Sequence, residues 1–105
     1  MKPITKDAWG RVLEKACDIA NAATADDDVL LEVHTARMLE LLDEMELEFG
    51  MHSKILDTRA DYLEDPEQRR DLYLRALALA RQADDSDEVD TILESLKNLE
   101  DNLQS

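Results

Sequence analysis

Apolar residues recur along this chain at intervals of three and four, and no segment shows period-two alternation, so the sequence predicts helices and no sheet. Thr5 stands as an N-cap ahead of a first helix over residues 6–23, with Trp9, Val12, Leu13, Ala16, Ala20 and Ala23 on its inward stripe. Gly10 inside that helix costs on the order of 1 kcal/mol relative to Ala, which suits either a close helix crossing or a later start near Arg11. Asp26, Asp27 and Asp28 put carboxylates at the positive end of a second helix over 28–49. Its stripe reads Leu31, Met38, Leu42, Met45 and Phe49 before Gly50 ends it.

Ser53 is placed to cap a short third helix with Ile55, Leu56, Ala60 and Leu63 on one side. Asp65, Pro66 at N1 and Gln68 at N3 form a helix start, and the fourth helix turns Leu72, Tyr73, Ala76, Leu77, Ala80 and Ala83 inward. Small residues at 76, 80 and 83 let a neighbouring helix approach closely. Asp85 and Glu88 have capping-box spacing, with Asp in place of the usual Ser or Thr, ahead of Val89, Ile92, Leu93, Leu96, Leu99 and Leu103. The linkers are only a few residues long, so neighbouring helices should pack as antiparallel hairpins. The expectation is an all-α fold of about five antiparallel helices.

Ser53 and Ser86 lie 33 positions apart, each at a helix start, close to the 34-residue period of tetratricopeptide units. Within that span Leu56, Tyr73 and Ala76 fall where that family carries its helix A leucine, helix B aromatic and helix B alanine. The stretch over residues 53–103 therefore resembles a tetratricopeptide unit. It departs from the pattern at Asp57, Arg69 and Arg81, which replace a small residue, an alanine and the closing proline. The resemblance implies a helical array with a concave surface for a peptide or partner protein, and it brings no catalytic residues; an irregular bundle is the other arrangement.

The length of 105 residues suits one acidic helical domain over residues 1–105, and only two glycines and two prolines argue against a disordered or loop-rich chain. Twelve basic residues against 26 acidic ones give a net charge of −14, which opposes direct binding to nucleic acid. Cys17 is the single cysteine, so no internal disulfide or CxxC site can form, and a reducing compartment is favoured. The longest apolar run, Ala76 to Ala80, is far short of a membrane span. Charged residues from Asp7 to Asp18 interrupt any signal-peptide pattern, which leaves the cytoplasm as the expected location.

The charge is segregated. Residues 26–48 carry nine acids against Arg37, and residues 82–105 carry eight against Lys97, whereas residues 59–81 balance five arginines with five acids. On the second helix Glu40, Glu44 and Glu48 repeat at i, i+4, i+8 with Asp43 beside them, and each like-charge pair costs roughly 0.2–0.5 kcal/mol. On the fifth helix Asp87, Asp90 and Glu94 share a side, with Asp101 further along. A solvated face is the plain reading of both stripes. The functional reading is a docking surface for a basic protein or peptide, which makes Glu40, Asp43, Glu44, Glu48, Asp87, Asp90 and Glu94 the candidate partner-binding residues.

That reading makes the chain a non-enzymatic adaptor or chaperone-like module. An acidic inhibitor, such as a toxin-neutralising immunity protein or a nucleic-acid mimic, uses the same chemistry. Glu40 and Asp43 also form one Glu-x-x-Asp pair of the kind found in all-helical Mg²⁺-dependent nucleotide pyrophosphohydrolases, but the segment before them offers only Glu32 as a further ligand. No cofactor, metal or catalytic residue is therefore assigned. His34 reads as a hydrogen-bonded boundary residue, and Glu48 with His52 does not complete the paired Glu-x-x-His motif of di-iron bundles. Cys17 has no basic neighbour in sequence to activate it, and Met38 and Met45 sit on the core stripe. Trp9 can anchor the core or a homodimer.

Overall fold

The computed structural model describes residues 2–104, with side chains through residue 102. It contains five helices: α1 (Lys6–Thr24), α2 (Asp28–Phe49), α3 (Ser53–Asp61), α4 (Pro66–Gln82) and α5 (Ser86–Gln104). The protein is all-α, and no strand occurs among the described residues. None of the helices is long and apolar enough to cross a membrane.

Polar side chains start four of the five helices. The Thr5 hydroxyl accepts from the Ala8 N–H at 3.1 Å, and the Asp27 carboxylate accepts from the Leu30 N–H at 3.1 Å. Asp65 accepts from the Glu67 N–H at 3.1 Å, with Pro66 in the first turn, and Asp85 accepts from the Glu88 N–H at 3.1 Å. The third helix differs from expectation. Its N-cap is His52, whose side chain makes no capping bond, and Ser53 is already the first helical residue.

Two of the corners are the same device. At the end of α1, Asp26 has a φ of 56°, its N–H donates to the Ala23 carbonyl, and the Asp27 N–H donates to the Ala22 carbonyl. At the end of α4, Asp84 has a φ of 54°, its N–H donates to the Arg81 carbonyl, and the Asp85 N–H donates to the Ala80 carbonyl. Both are Schellman closures on an Ala-Asp-Asp sequence, with aspartate in the left-handed position that glycine usually fills. In each, the second aspartate closes one helix through its N–H and caps the next through its side chain. No residues are left over for a linker, so the two helices double back on one another.

Backbone contacts divide the chain into two compact units, Met1–Gly50 and Met51–Ser105. In the first unit α1 packs on α2. The buried residues of α2 are Met38, Leu42, Met45 and Phe49, as its periodicity predicts, whereas Leu31 is half-buried. The α1 stripe is phased differently from the sequence expectation. Ala8, Val12, Ile19 and Ala22 are buried, whereas Leu13, Ala20 and Ala23 are exposed. The alanine-rich second half of α1 supports either phase, and the observed one hides the larger Ile19 instead of Ala20.

In the second unit α4 packs against both α3 and α5, which meet each other over a smaller contact. Leu56, Ala60, Tyr73, Ala76, Leu77, Ala80, Ile92 and Leu99 form its core. Ala60, Ala76 and Ala80 are completely inaccessible to solvent, as the close approach expected from small residues requires. Ala83 and Leu93, both expected inward, are exposed, because the α4 core face ends at Ala80 and the α5 face follows Ile92 and Leu99. Leu103, also assigned to that face, lies outside the described side chains.

Gly10 corresponds to neither sequence expectation: α1 begins at Lys6, and, apart from its chain neighbours and the helix's own nearby backbone, no atom lies within 4 Å of where a Cβ at Gly10 would sit. The glycine therefore carries the entropic cost of a flexible helix residue with no packing reason for it. Gly10→Ala should raise stability by about 0.5–1 kcal/mol in urea unfolding; an unchanged or lowered midpoint would show that the space is occupied.

Candidate functional site

All seven candidate partner-binding carboxylates are exposed: Glu40, Asp43, Glu44 and Glu48 on α2 in the first unit, Asp87, Asp90 and Glu94 on α5 in the second. The surface ion pairs Lys15–Asp18 at 3.2 Å, Arg75–Asp71 at 3.3 Å and Arg70–Glu100 at 4.0 Å engage other carboxylates. On α2 the acids surround Leu47, which is 90% exposed, the most exposed of the large apolar side chains described. That leucine lies three residues from Glu44 and four from Asp43, so it stands on the same helical face.

A different set of acids is brought together inside the second unit. Tyr73 of α4 is 1% exposed, and its hydroxyl donates to Asp61 Oδ1 at the end of α3, 2.5 Å away. Arg69, one turn earlier on α4, donates through Nη2 to the Tyr73 oxygen at 3.4 Å and through Nε to the Ala60 carbonyl at 2.9 Å. Its guanidinium carbon lies 6.0 Å from the centre of the Tyr73 ring. One arginine thus bridges the end of α3 and the buried phenol. Burial and the bond to Asp61 push the Tyr73 hydroxyl up to about 12, so it remains a donor at every physiological pH.

Asp57 lies one turn before Asp61 on α3. Its Oδ1 is closed to solvent and has no hydrogen-bond partner among the described residues. Burial, followed by the neighbouring Asp61 and Glu88 carboxylates, raises its pKa from 3.8 to about 7. Asp61 is raised by burial of its carboxyl, while the Tyr73 hydrogen bond and the Arg69 charge pull it back down. Glu88 of α5 is 9% exposed, and its Oε1 also lacks a partner. Burial raises its pKa, the Lys54 ammonium opposes this, and Asp85 and Asp61 add to the rise.

The helix corner explains why Glu88 turns inward. A complete capping box has the N3 carboxylate accept from the N-cap N–H. Here that donor, the Asp85 N–H, is already committed to the Ala80 carbonyl at 3.0 Å. Only the Asp85-to-Glu88 half of the box forms, and the Glu88 side chain is left against α3. Burial together with the nearby negative charge of Asp61 and Glu88 favours the protonated form of Asp57 near neutrality. An open depression of about 240 Å³ at the α4–α5 corner is lined by Ala80, Arg81, Asp84, Asp85, Ser86, Val89 and Asp90, and it does not reach Asp57 or Asp61.

The remaining candidates stay apart from this cluster. His34 Nδ1 lies 3.4 Å from Lys15 Nζ, which also bonds Asp18. Cys17 is exposed. Among the described residues no group of three or more His, Cys, Asp or Glu side chains is arranged to hold a metal ion.

Sequence reasoning missed the cluster although it held a signal for it. Asp57 and Arg69 are two of the positions at which the chain departs from the tetratricopeptide pattern, and both replace small residues at a helix–helix contact. Charges there must find partners or shift their ionisation. No family model, no curated protein and no solved structure matches this chain.

Two predictions follow from the cluster. In the unfolded chain Asp57 ionises near 3.8 and in the folded chain near 7. Between those values the folded state keeps a proton that the unfolded state has lost, so this group's contribution to stability falls as pH rises through the window. Asp57→Asn should match wild type near pH 4 and be more stable at pH 8, by no more than about 1 kcal/mol given the partial exposure of the residue. Urea midpoints across that range check this, and parallel profiles for the two proteins would contradict it. Tyr73→Phe keeps the ring but strips Asp61 and Arg69 of their shared partner. It should cost about 1 kcal/mol in the same unfolding assay.

Proposed function

We propose that this protein is a non-enzymatic interaction module, an adaptor or chaperone-like binder, whose acidic helix faces receive a basic segment of a partner protein. The observation that carries the reading is the exposure of Glu40, Glu44 and Glu48 along α2, and of Asp87, Asp90 and Glu94 along α5. Carboxylates left in repulsion along one helix face raise the local negative potential, which speeds encounter with a cationic surface and is screened by salt. Each face is a candidate by itself, since α2 and α5 belong to different units.

The second unit also supports a tetratricopeptide-like reading. Leu56, Tyr73 and Ala76, the residues that carry the resemblance, lie in its core, and α3, α4 and α5 follow one another as packed neighbours. The working location is the cytoplasm, consistent with a lone exposed Cys17 that a reducing environment keeps as a thiol.

Capture of partners at low salt, with elution by rising salt, tests the reading. Glu40, Glu44 and Glu48 changed together to Gln should weaken a partner seated on α2 roughly tenfold, and Asp87→Asn with Asp90→Asn and Glu94→Gln should do so for one seated on α5. Partners retained unchanged by both variants would sink the proposal.

A further inference from the structure

The outward face of α2 is not uniformly acidic. Val29, Leu30 and Val33, on its first turns, are 73%, 47% and 41% exposed. Val29 and Val33 are turned nearly half a helical revolution from the buried Met38, Leu42, Met45 and Phe49 stripe. The same outward line continues through Ala36, Glu40, Asp43 and Leu47, with steps that alternate between four and three residues. This is the spacing of a seam that accepts a second helix, and it runs about 27 Å from Val29 to Leu47. The seam is apolar at its N-terminal end and acidic over the turns that follow, closing on Leu47. The acids Asp28 and Glu32 flank its apolar end.

Resting on the reading of a basic partner, we propose that Val29 and Val33 are the anchoring seat for a cationic amphipathic helix that lies along α2. Its apolar side chains cover the valines, and its lysines or arginines face Glu40, Asp43 and Glu44. Charge complementarity selects this occupant. A second copy of α2 laid in parallel would set Glu40, Asp43 and Glu44 against the same acids, and laid antiparallel it would set those acids against the valines. Both arrangements are penalised. A cationic helix meets both halves of the seam, with the buried apolar contacts holding the complex and the charges steering and orienting it.

The test uses the whole protein and a labelled synthetic helix of about 20 residues made of Leu, Lys and Ala, long enough to span the seam. Leucine occupies its seam positions in one half and lysine in the other; a control peptide of the same composition scatters them. Circular dichroism verifies that Val29→Ser with Val33→Ser keeps the helical fold. That variant should bind the patterned peptide roughly tenfold more weakly with the salt dependence unchanged. Changing Glu40 and Glu44 to Gln should instead flatten the salt dependence. The scattered peptide should bind more weakly than the patterned one. Wild-type affinity in the valine variant, alongside a weakened glutamine variant, would overturn the seat and leave the acidic-face reading standing. An unaltered salt dependence in the glutamine variant would overturn that reading, and this proposal with it. Sedimentation as a dimer that the valine variant dissolves would overturn the proposal in favour of a second copy.

Discussion

A phenol hydroxyl buried in a helical core must find a partner, and that requirement at Tyr73 organises the second unit. The hydroxyl reaches Asp61, which fixes the end of α3 against α4, and Arg69 secures the arrangement by bonding both the phenol and the Ala60 carbonyl. Asp57 lies one turn earlier on α3, and Glu88 of α5 is close enough for its charge to act on it. Their raised pKa values follow from the packing.

The corners impose a second constraint. With only two glycines in the chain, the left-handed positions after α1 and α4 fall to Asp26 and Asp84. Aspartate tolerates that backbone better than most residues, and the next aspartate can cap the following helix. The result is a turn with no spare residue and a high density of negative charge at each hairpin tip. It also explains why one capping box is incomplete. The Asp85 N–H goes to the Ala80 carbonyl and not to Glu88, whereas the Asp85 side chain keeps its capping role.

The sequence made the helices legible because their boundaries are written in local chemistry. Thr5, Asp65 with Pro66, and Asp85 each act within three residues, so no tertiary information is needed to place them. The α2 core stripe was legible for a related reason: its inward residues are large, and no equally apolar alternative phase runs along its whole length. In α1 the opposite holds. Alanines on both sides of the helix make the inward face ambiguous, and only packing against α2 selects Ile19 and Ala22 over Leu13 and Ala20. The buried carboxyls were invisible to periodicity because they come from α3 and α5, with Asp61 placed by Tyr73 and Arg69 of α4. The outward valines of α2 were left off its inward stripe, and periodicity by itself gives an apolar residue on the outer face no role. The exposed acids were legible as a stripe, and their meaning for a partner is a matter of chemistry that composition alone does not fix.

The aromatic residues are divided between the units in a useful way. Trp9, the single tryptophan, belongs to the first unit, while both tyrosines, Tyr62 and Tyr73, belong to the second. Excitation at the red edge of the absorption band, where tyrosine is dark, therefore watches one half of the chain, and tyrosine emission watches the other. Whether the halves melt in one cooperative step or in two can be read from the untagged, unmutated protein by its own light.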